Sequence, residues 1–421
     1  MKTLRPIFST PLTVASAIVL GLGLCAGILF APTAEAADWP QFRGPHQTGI
    51  SPETIRTDWP EDGPRVLWRA PLGKGFSGIS EVDGRLYTLF GDGKGTFVVS
   101  FDAATGREAW RYRLDGHYSN SFGDGPRSTP TVRDGVVYAL SAQSTLAALD
   151  AATGKEVWVQ DLKKTYGARL PTWGVAASPL VEDGRIYLDV GGREGYSVMA
   201  LDRKTGAALW GSQSDIPGYS TPVIEIIDGQ RQLFVFSGTQ IVGLDPDNGR
   251  LLWKKKWRTD YDVNAATPIF VPPNRVLVAS GYGVGAALLE IGRTESGWTA
   301  DEAWTTRGMK NQFSSSIAHQ GTLYGFDDGT LKALDLTDGD ERWKVRGFGH
   351  GSLTLAGDHL VVLGDKGQLA VVEATPEEYR EKAKTQIFRG KTWTVPTVAD
   401  GRLFVRDENE IVALDVAARK E

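Results

Sequence analysis

From Arg65 onward the chain alternates apolar and polar positions in short runs, each closed by a turn signal, and the runs recur as a set. One unit opens on a Ser/Thr/Ala-Pro step, alternates, passes Asp-Gly and resumes. It reads S-T-P-T-V-R-D-G-V-V-Y from Ser128, A-S-P-L-V-E-D-G-R-I-Y from Ala177 and V-P-T-V-A-D-G-R-L-F from Val395. A period of two is that of a strand, and Asp-Gly between β-branched runs is a strong hairpin signal. A second unit follows: an apolar run, an acid, a turn carrying Thr-Gly or Asn-Gly, and a tryptophan four residues after the glycine. It occurs at Ser100 to Trp110, Ala148 to Trp158, Ala200 to Trp210, Gly243 to Trp253 and Ala333 to Trp343. Each repeat thus predicts strand, hairpin, strand, strand, turn, strand. Four antiparallel strands make one propeller blade, and a period of roughly 40 to 50 residues is that of a unit that buries its apolar face only against its neighbours.

Strand starts near Phe76, Arg127, Ala176, Tyr219, Ala265, Phe313, His350 and Trp393 give eight blades. The fifth ends a long insertion at Trp304, and the seventh replaces the Gly-Trp turn with A-T-P-E-E-Y-R-E around Glu377. The eighth stops after A-L-D-V near Asp415, one strand short. An open ring would leave two bare sheet edges, and Arg65 to Leu72, with its own Trp68, has the pattern of the missing strand. The expectation is an all-β chain: an eight-bladed β-propeller of four-stranded antiparallel blades, closed by an N-terminal strand completing the last blade. The propeller spans 65–421, and an arm at 37–64, rich in Pro, Trp and turn residues, lies over the disc through Trp39 and Phe42.

Composition changes this picture little. Glycine (50 of 421) and tryptophan (13) are frequent, and no long stretch carries a 3.6-residue pattern, so helix is confined to short pieces such as Pro376 to Lys384. Lys2 and Arg5 precede an apolar stretch from about Leu12 to Phe30, and Ala34-Glu35-Ala36 is a small-x-small cleavage pattern. Residues 1–36 therefore read as a signal peptide of an exported, periplasmic protein. Retention of the stretch would instead anchor the chain to a membrane. Lipidation of Cys25 is a third route, against which Leu24 stands where a small residue is expected. Cleavage removes the one cysteine, leaving no disulfide, thiolate metal site or C-x-x-C-H haem attachment. It also moves the formal charge from −5 to −6 with both signs interspersed, which offers no nucleic-acid surface.

The repeat acids and glycines are turn residues. Trp68, Trp110, Trp158, Trp210, Trp253, Trp304 and Trp343 are expected to be structural, packed between blades with the indole N–H on a backbone partner. Function belongs to the loops entering the innermost strands, which crowd one mouth of the channel. These carry Tyr118, Asn120, Phe122, Asp124 and Arg127, then Arg169 and Trp173, Tyr219, Tyr261, Asp262 and Asn264. Lys310, Asn311 and Gln312, His350, and Lys391 with Trp393 complete the set. Two tryptophans outside the turn phrase, among Arg, Lys, Asn and Asp, either seal the channel or form an aromatic floor and polar clamp for a planar or anionic ligand. Paired acids such as Asp124 and Asp262 would suit a hydrolytic propeller.

The A-x-D-x-x-T-G-x-x-x-W phrase resembles the repeat of the pyrroloquinoline quinone (PQQ) propeller superfamily, which includes quinoprotein alcohol dehydrogenases and BamB-like assembly factors of the bacterial outer membrane. D-W-P-Q-F-R-G-P at Asp38 to Pro45 and M-K-N-Q-F-S-S-S at Met309 to Ser316 are similar to a group of exported bacterial PQQ-like repeat proteins. The resemblance implies either of two functions. The first is a non-catalytic module that binds a ligand or a periplasmic or outer-membrane protein, acting as a monomer. The alternative is a PQQ-dependent dehydrogenase holding PQQ and Ca²⁺ at the channel mouth. That alternative would use Trp173 or Trp393 for stacking, Arg127 and Lys310 for the carboxylates, Asp262 with Asn264 for the metal, and Asp262 as base. The family's alcohol dehydrogenases carry an adjacent-cysteine disulfide that this chain lacks.

Overall fold

The computed structural model describes residues 37–418, so the expected signal segment and Cys25 lie outside the described residues. The first blade runs Ser80–Val82, Arg85–Asp92, Gly95–Asp102 and Glu108–Asp115, each strand antiparallel to the one before. Six more blades follow the same order within 131–161, 180–212, 223–256, 269–306, 317–346 and 352–386. The eighth supplies three strands, Thr397–Ala399, Arg402–Arg406 and Glu410–Asp415. Its outermost strand is Val66–Pro71, antiparallel to Glu410–Asp415 with Trp68 opposite Ala413. The expected closure of the ring by the N-terminal strand is therefore present, and no blade is left one strand short.

In seven of the eight blades the outermost strand carries a bulge one residue before its tryptophan, where the register slips between Glu156 and Trp158, for example, and between Val66 and Trp68. A bulge re-aims the side chain that follows it, here onto the next blade. The indole N–H groups of Trp68, Trp110, Trp158, Trp210 and Trp304 donate to carbonyls of Ala103, Ala151, Arg203, Pro246 and Leu336 at 2.9–3.2 Å. Each acceptor directly follows the turn acid of the neighbouring blade. The turn glycine of that blade lies under the ring: a Cβ on Gly154 would stand 2.5 Å from Trp110, and one on Gly106 would stand 2.5 Å from Trp68. The glycine thus answers two demands, a positive φ and a flat seat for an indole.

Two blades depart from the phrase. The fifth replaces its turn with a hairpin of two ten-residue strands, Gly285–Thr294 and Gly297–Thr306, so Trp253 donates to the Gln232 side chain at 2.7 Å instead. In the seventh, Trp343 still reaches Thr375 O at 2.7 Å, and Tyr379 packs edge-on to it. The helix expected over Pro376 to Lys384 is not there. Glu381–Gln386 is the outer strand of that blade, alternating exposed and half-buried residues. Its Glu and Lys content suits a helix, but an edge strand is charged too, and Lys382 and Arg380 pair with Glu373 on the neighbouring strand or just beyond it. The described residues hold one helix, Leu162–Tyr166, capped by the Asp161 side chain and by Gly167 in the left-handed region.

Around the axis the Ser/Thr-Pro steps join the blades. Thr129 Oγ1 accepts from Gly78 N, Ser178 Oγ from Thr129 N, and Thr221 Oγ1 from Ser178 N, at 2.9–3.0 Å. Ser80, Thr131, Thr354 and Thr397 donate across to carbonyls of Pro130, Pro179, Pro396 and Ile79. These hydroxyls satisfy backbone groups that the innermost strands leave unpaired on their axial side.

The arm crosses this axis. Trp39, 2% exposed, bridges Glu81 of the first blade, and Pro40 O accepts from Val132 N of the second. Arg43 and Gln47 reach the carbonyls of Ser316 and Pro222, in the sixth and fourth blades. Ile50–Ser51 then adds a parallel strand to Leu355–Ala356 of the seventh. Arg43 is 2% exposed, and its guanidinium is held by the carbonyls of Gln47, Thr48 and Ser316.

Candidate functional site

Above the arm the loops enclose a cavity of about 310 Å³ with Phe42 in its lining. Its wall is aromatic. On one side Trp173 meets Phe122 at 5.8 Å, Tyr219 at 5.9 Å and Tyr261 at 6.3 Å, and Tyr261 meets Tyr282 at 5.2 Å. On the other, Trp393 lies between Phe76 at 5.1 Å and Phe313 at 4.8 Å, and Phe313 contacts the His350 ring. All eight blade-entry loops contribute one of these rings, because each loop runs inward to start its innermost strand.

Two cations sit among the rings. Arg127 lies over Phe76 at 5.7 Å and Tyr118 at 5.0 Å and donates to the carbonyls of Gly125 and Gly123 at 2.6 and 2.8 Å. Burial holds its pKa below the usual arginine value. Lys391 stands 4.2 Å over Trp393 and donates to Phe122 O at 2.7 Å. No Asp or Glu lines the cavity, and among the described residues neither cation is ion-paired. Tyr219 accepts a long bond from Trp173 N, and burial pushes its phenol up to about 12. The His350 Nδ1 atom is buried without a hydrogen-bond partner among the described residues.

Of the residues singled out from sequence, the structure brings Phe122, Arg127, Trp173, Tyr219, Gln312, His350 and Trp393 into the lining, with Lys391 against Trp393. Tyr118, Asn120, Asp124, Arg169, Tyr261, Asp262, Asn264, Lys310 and Asn311 do not line it. Asp124 accepts from Asn120 N at 3.0 Å within its own loop. Arg169 is exposed and bonds through its backbone to Val190. The Lys310 ammonium is drawn to Asp327 at 2.6 Å. Asn264 is fully buried, donating to Ser237, Gly238 and Trp257 carbonyls and accepting from Ser280 Oγ at 2.8 Å. Phe42, Phe76, Phe313 and Tyr282 belong to the wall and were not among the sequence-derived site residues. The recurring aromatic at blade entry was the available signal for Phe76 and Phe313.

These placements bear on the cofactor alternative. The rings and Arg127 suit a planar acid, but the oxygen donors for Ca²⁺ do not converge. Asn264 spends its amide on the fold, Asp262 is outside the lining, and no group of three His, Cys, Asp or Glu among the described residues is placed to hold a metal ion. The residues present do not fit PQQ bound through Ca²⁺.

Fold and repeat place the protein among the PQQ-like β-propellers. The family model for the outer membrane protein assembly factor BamB matches residues 60–171, 163–345 and 327–420, and the chain belongs to that family. BamB of Burkholderia pseudomallei is 25% identical over 317 residues, 72% of this chain and 74% of that protein. A quinoprotein ethanol dehydrogenase of Pseudomonas aeruginosa is 33% identical over 165 residues, 34% of this chain and 26% of the enzyme. The chain spans between 20% and 26% of the length of the first curated relatives it matches. The crystal structure of BamB from Moraxella catarrhalis shares the fold, with a TM-score of 0.58 and 16% identity, over 84% of this chain and 99% of that one. No helix among the described residues is long and apolar enough to cross a membrane.

Proposed function

We propose that the protein is a non-catalytic, monomeric binding module of the bacterial envelope whose axial cavity takes a small, planar, anionic ligand. The observation that carries this reading is the aromatic-walled cavity in which Arg127 bonds to carbonyls and has no carboxylate of the described residues within ion-pair distance, Asp124 of its own loop acting on it from further off. A buried cation bonded only to carbonyls retains attraction for an anion, and ring faces at cavity spacing favour a flat ligand. Catalysis would need a base or a metal beside the bound molecule; His350 is the imidazole in the lining, and neither an Asp or Glu there nor a metal-donor cluster among the described residues accompanies it.

Membership of the BamB family supports a second reading, an envelope protein docked at the same mouth. One titration separates the two. Anthraquinone-2-carboxylate and its neutral carboxamide are added to the purified protein while tryptophan fluorescence is followed, with and without Ca²⁺. The ligand reading expects quenching by the carboxylate, indifference to Ca²⁺, and loss in Trp173→Ala/Trp393→Ala. Absence of binding by any flat acid would leave the protein-partner reading in its place, and Ca²⁺-dependent binding of PQQ would restore the dehydrogenase alternative.

A further inference from the structure

The arm begins at a buried carboxylate. Glu53 is 5% exposed, and its two oxygens accept from Asp400 N at 2.6 Å, Gly401 N at 2.8 Å and Ala37 N at 3.3 Å. No lysine or arginine among the described residues forms an ion pair with it. The surroundings add negative charge rather than remove it. Asp38 accepts from Asp83 N, and Asp38 and Asp400 both act on Glu81, whose carboxyl burial first, and then these neighbours, push up to about 7. Arg402, paired with Asp400, is the base facing this group. An unpaired buried carboxylate is costly, and the residue whose nitrogen touches it directly follows the Ala34-Glu35-Ala36 cleavage pattern.

We propose that Glu53 is a receptor for a freed α-amino group on Ala37, so that removal of residues 1–36 completes an ion pair that clamps the arm across the ring. Hydrolysis of the Ala36–Ala37 amide by a peptidase consumes one water. The C–N bond breaks, the hydroxyl joins the Ala36 carbonyl, and the proton goes to the Ala37 nitrogen. At neutral pH the new acid's proton ends on that nitrogen too, leaving a carboxylate on the released segment and an ammonium on the chain. A neutral N–H donor is replaced by a cation with three donors, at a carboxylate that has no other counter-charge. The clamp acts on the cavity as well, because the same arm carries Phe42 into its lining.

Two experiments test this. The mass of the protein purified from the envelope of cells expressing the full precursor is expected to start at Ala37; a start elsewhere, or a retained leader, overturns the proposal at its first step. A precursor with Gly-Ser inserted between Ala36 and Ala37 is processed to a chain extended by two residues, which moves the charge off Ala37. The extended chain is expected to melt lower by about 2 °C or more and to be cut in the arm at lower protease dose. Glu53→Gln should erase the difference between the two chains. Because Glu53→Gln disturbs the Asp400 and Gly401 contacts, selective N-terminal acetylation of the unextended protein provides the second route, and it should reproduce the loss. Equal melting of free, extended and acetylated chains would overturn the receptor even where processing occurs at Ala37.

Discussion

Substitution of Gly154 by alanine tests the joint between blades where it is most explicit. Gly154 has φ +71°, and a Cβ there would stand 2.5 Å from the Trp110 ring, whose N–H donates to Ala151 O at 3.0 Å. Two costs follow. The left-handed backbone costs an L side chain about 1–2 kcal/mol, and driving a methyl against a packed ring costs about 1–3 kcal/mol more. The sum is about 2–5 kcal/mol. The control is a glycine of an Asp-Gly hairpin: Gly184, between Leu180–Glu182 and Arg185–Asp189, has φ +77° and nothing within 4 Å of a built Cβ, so Gly184→Ala should cost the backbone share alone. Gly206, whose Cβ would stand 3.1 Å from Trp158, should fall between them. Urea unfolding followed by tryptophan fluorescence reads all three, with Gly154→Ala also shifting the emission of the displaced indole. Equal losses at Gly154 and Gly184 would refute the claim that these glycines seat the tryptophans.

Further outcomes follow from buried charge. Asp189 is 3% exposed, and burial pushes its carboxyl up to about 7 while Oδ2 accepts from Gly218 N at 2.9 Å and Oδ1 lacks a partner. Its folded pKa lies above the unfolded value of about 3.9, so its contribution is fully present below about pH 4 and is lost as pH rises through about 7. Asp189→Asn should therefore flatten the fall in melting temperature between pH 5 and pH 8, and an unchanged slope would remove Asp189 as its source. Arg43→Met strands the carbonyls of Gln47, Thr48 and Ser316, at about 1–3 kcal/mol for each one left unsatisfied. Limited proteolysis should then cut the arm near residues 40–50 while the blades resist, and an arm as resistant as wild type would count against its being pinned through Arg43.

The architecture was legible because its determinants are local. Asp-Thr-Gly turns, Asp-Gly hairpins and a tryptophan at fixed spacing state the blade, and a fourth strand missing at one end with a spare one at the other states the closure. Reading failed where a local preference met a non-local partner. Glu381–Gln386 has the composition of a helix but is held as a strand by its ladder with Gln368–Glu373. Lys310 precedes a blade as Arg127 does, yet Asp327 on the next strand turns it away from the channel. Asn264 reads as a ligand and serves as a brace, which only the positions of Ser237, Trp257 and Ser280 reveal. The arm over the disc was expected, but Phe42 reaches the cavity because contacts with the backbone of the first, second, fourth, sixth and seventh blades set the arm's path, and those partners are distant in sequence.

The axial cavity is the centre of the functional account, and calorimetry of anthraquinone-2-carboxylate binding to wild type and Arg127→Leu tests it most directly. The account predicts one site per chain, binding independent of Ca²⁺, and affinity about 10- to 100-fold weaker in the variant, as expected for loss of a charge-assisted bond of about 1.5–3 kcal/mol. Equal affinity for the carboxylate and its neutral amide, or no loss in Arg127→Leu, would contradict it.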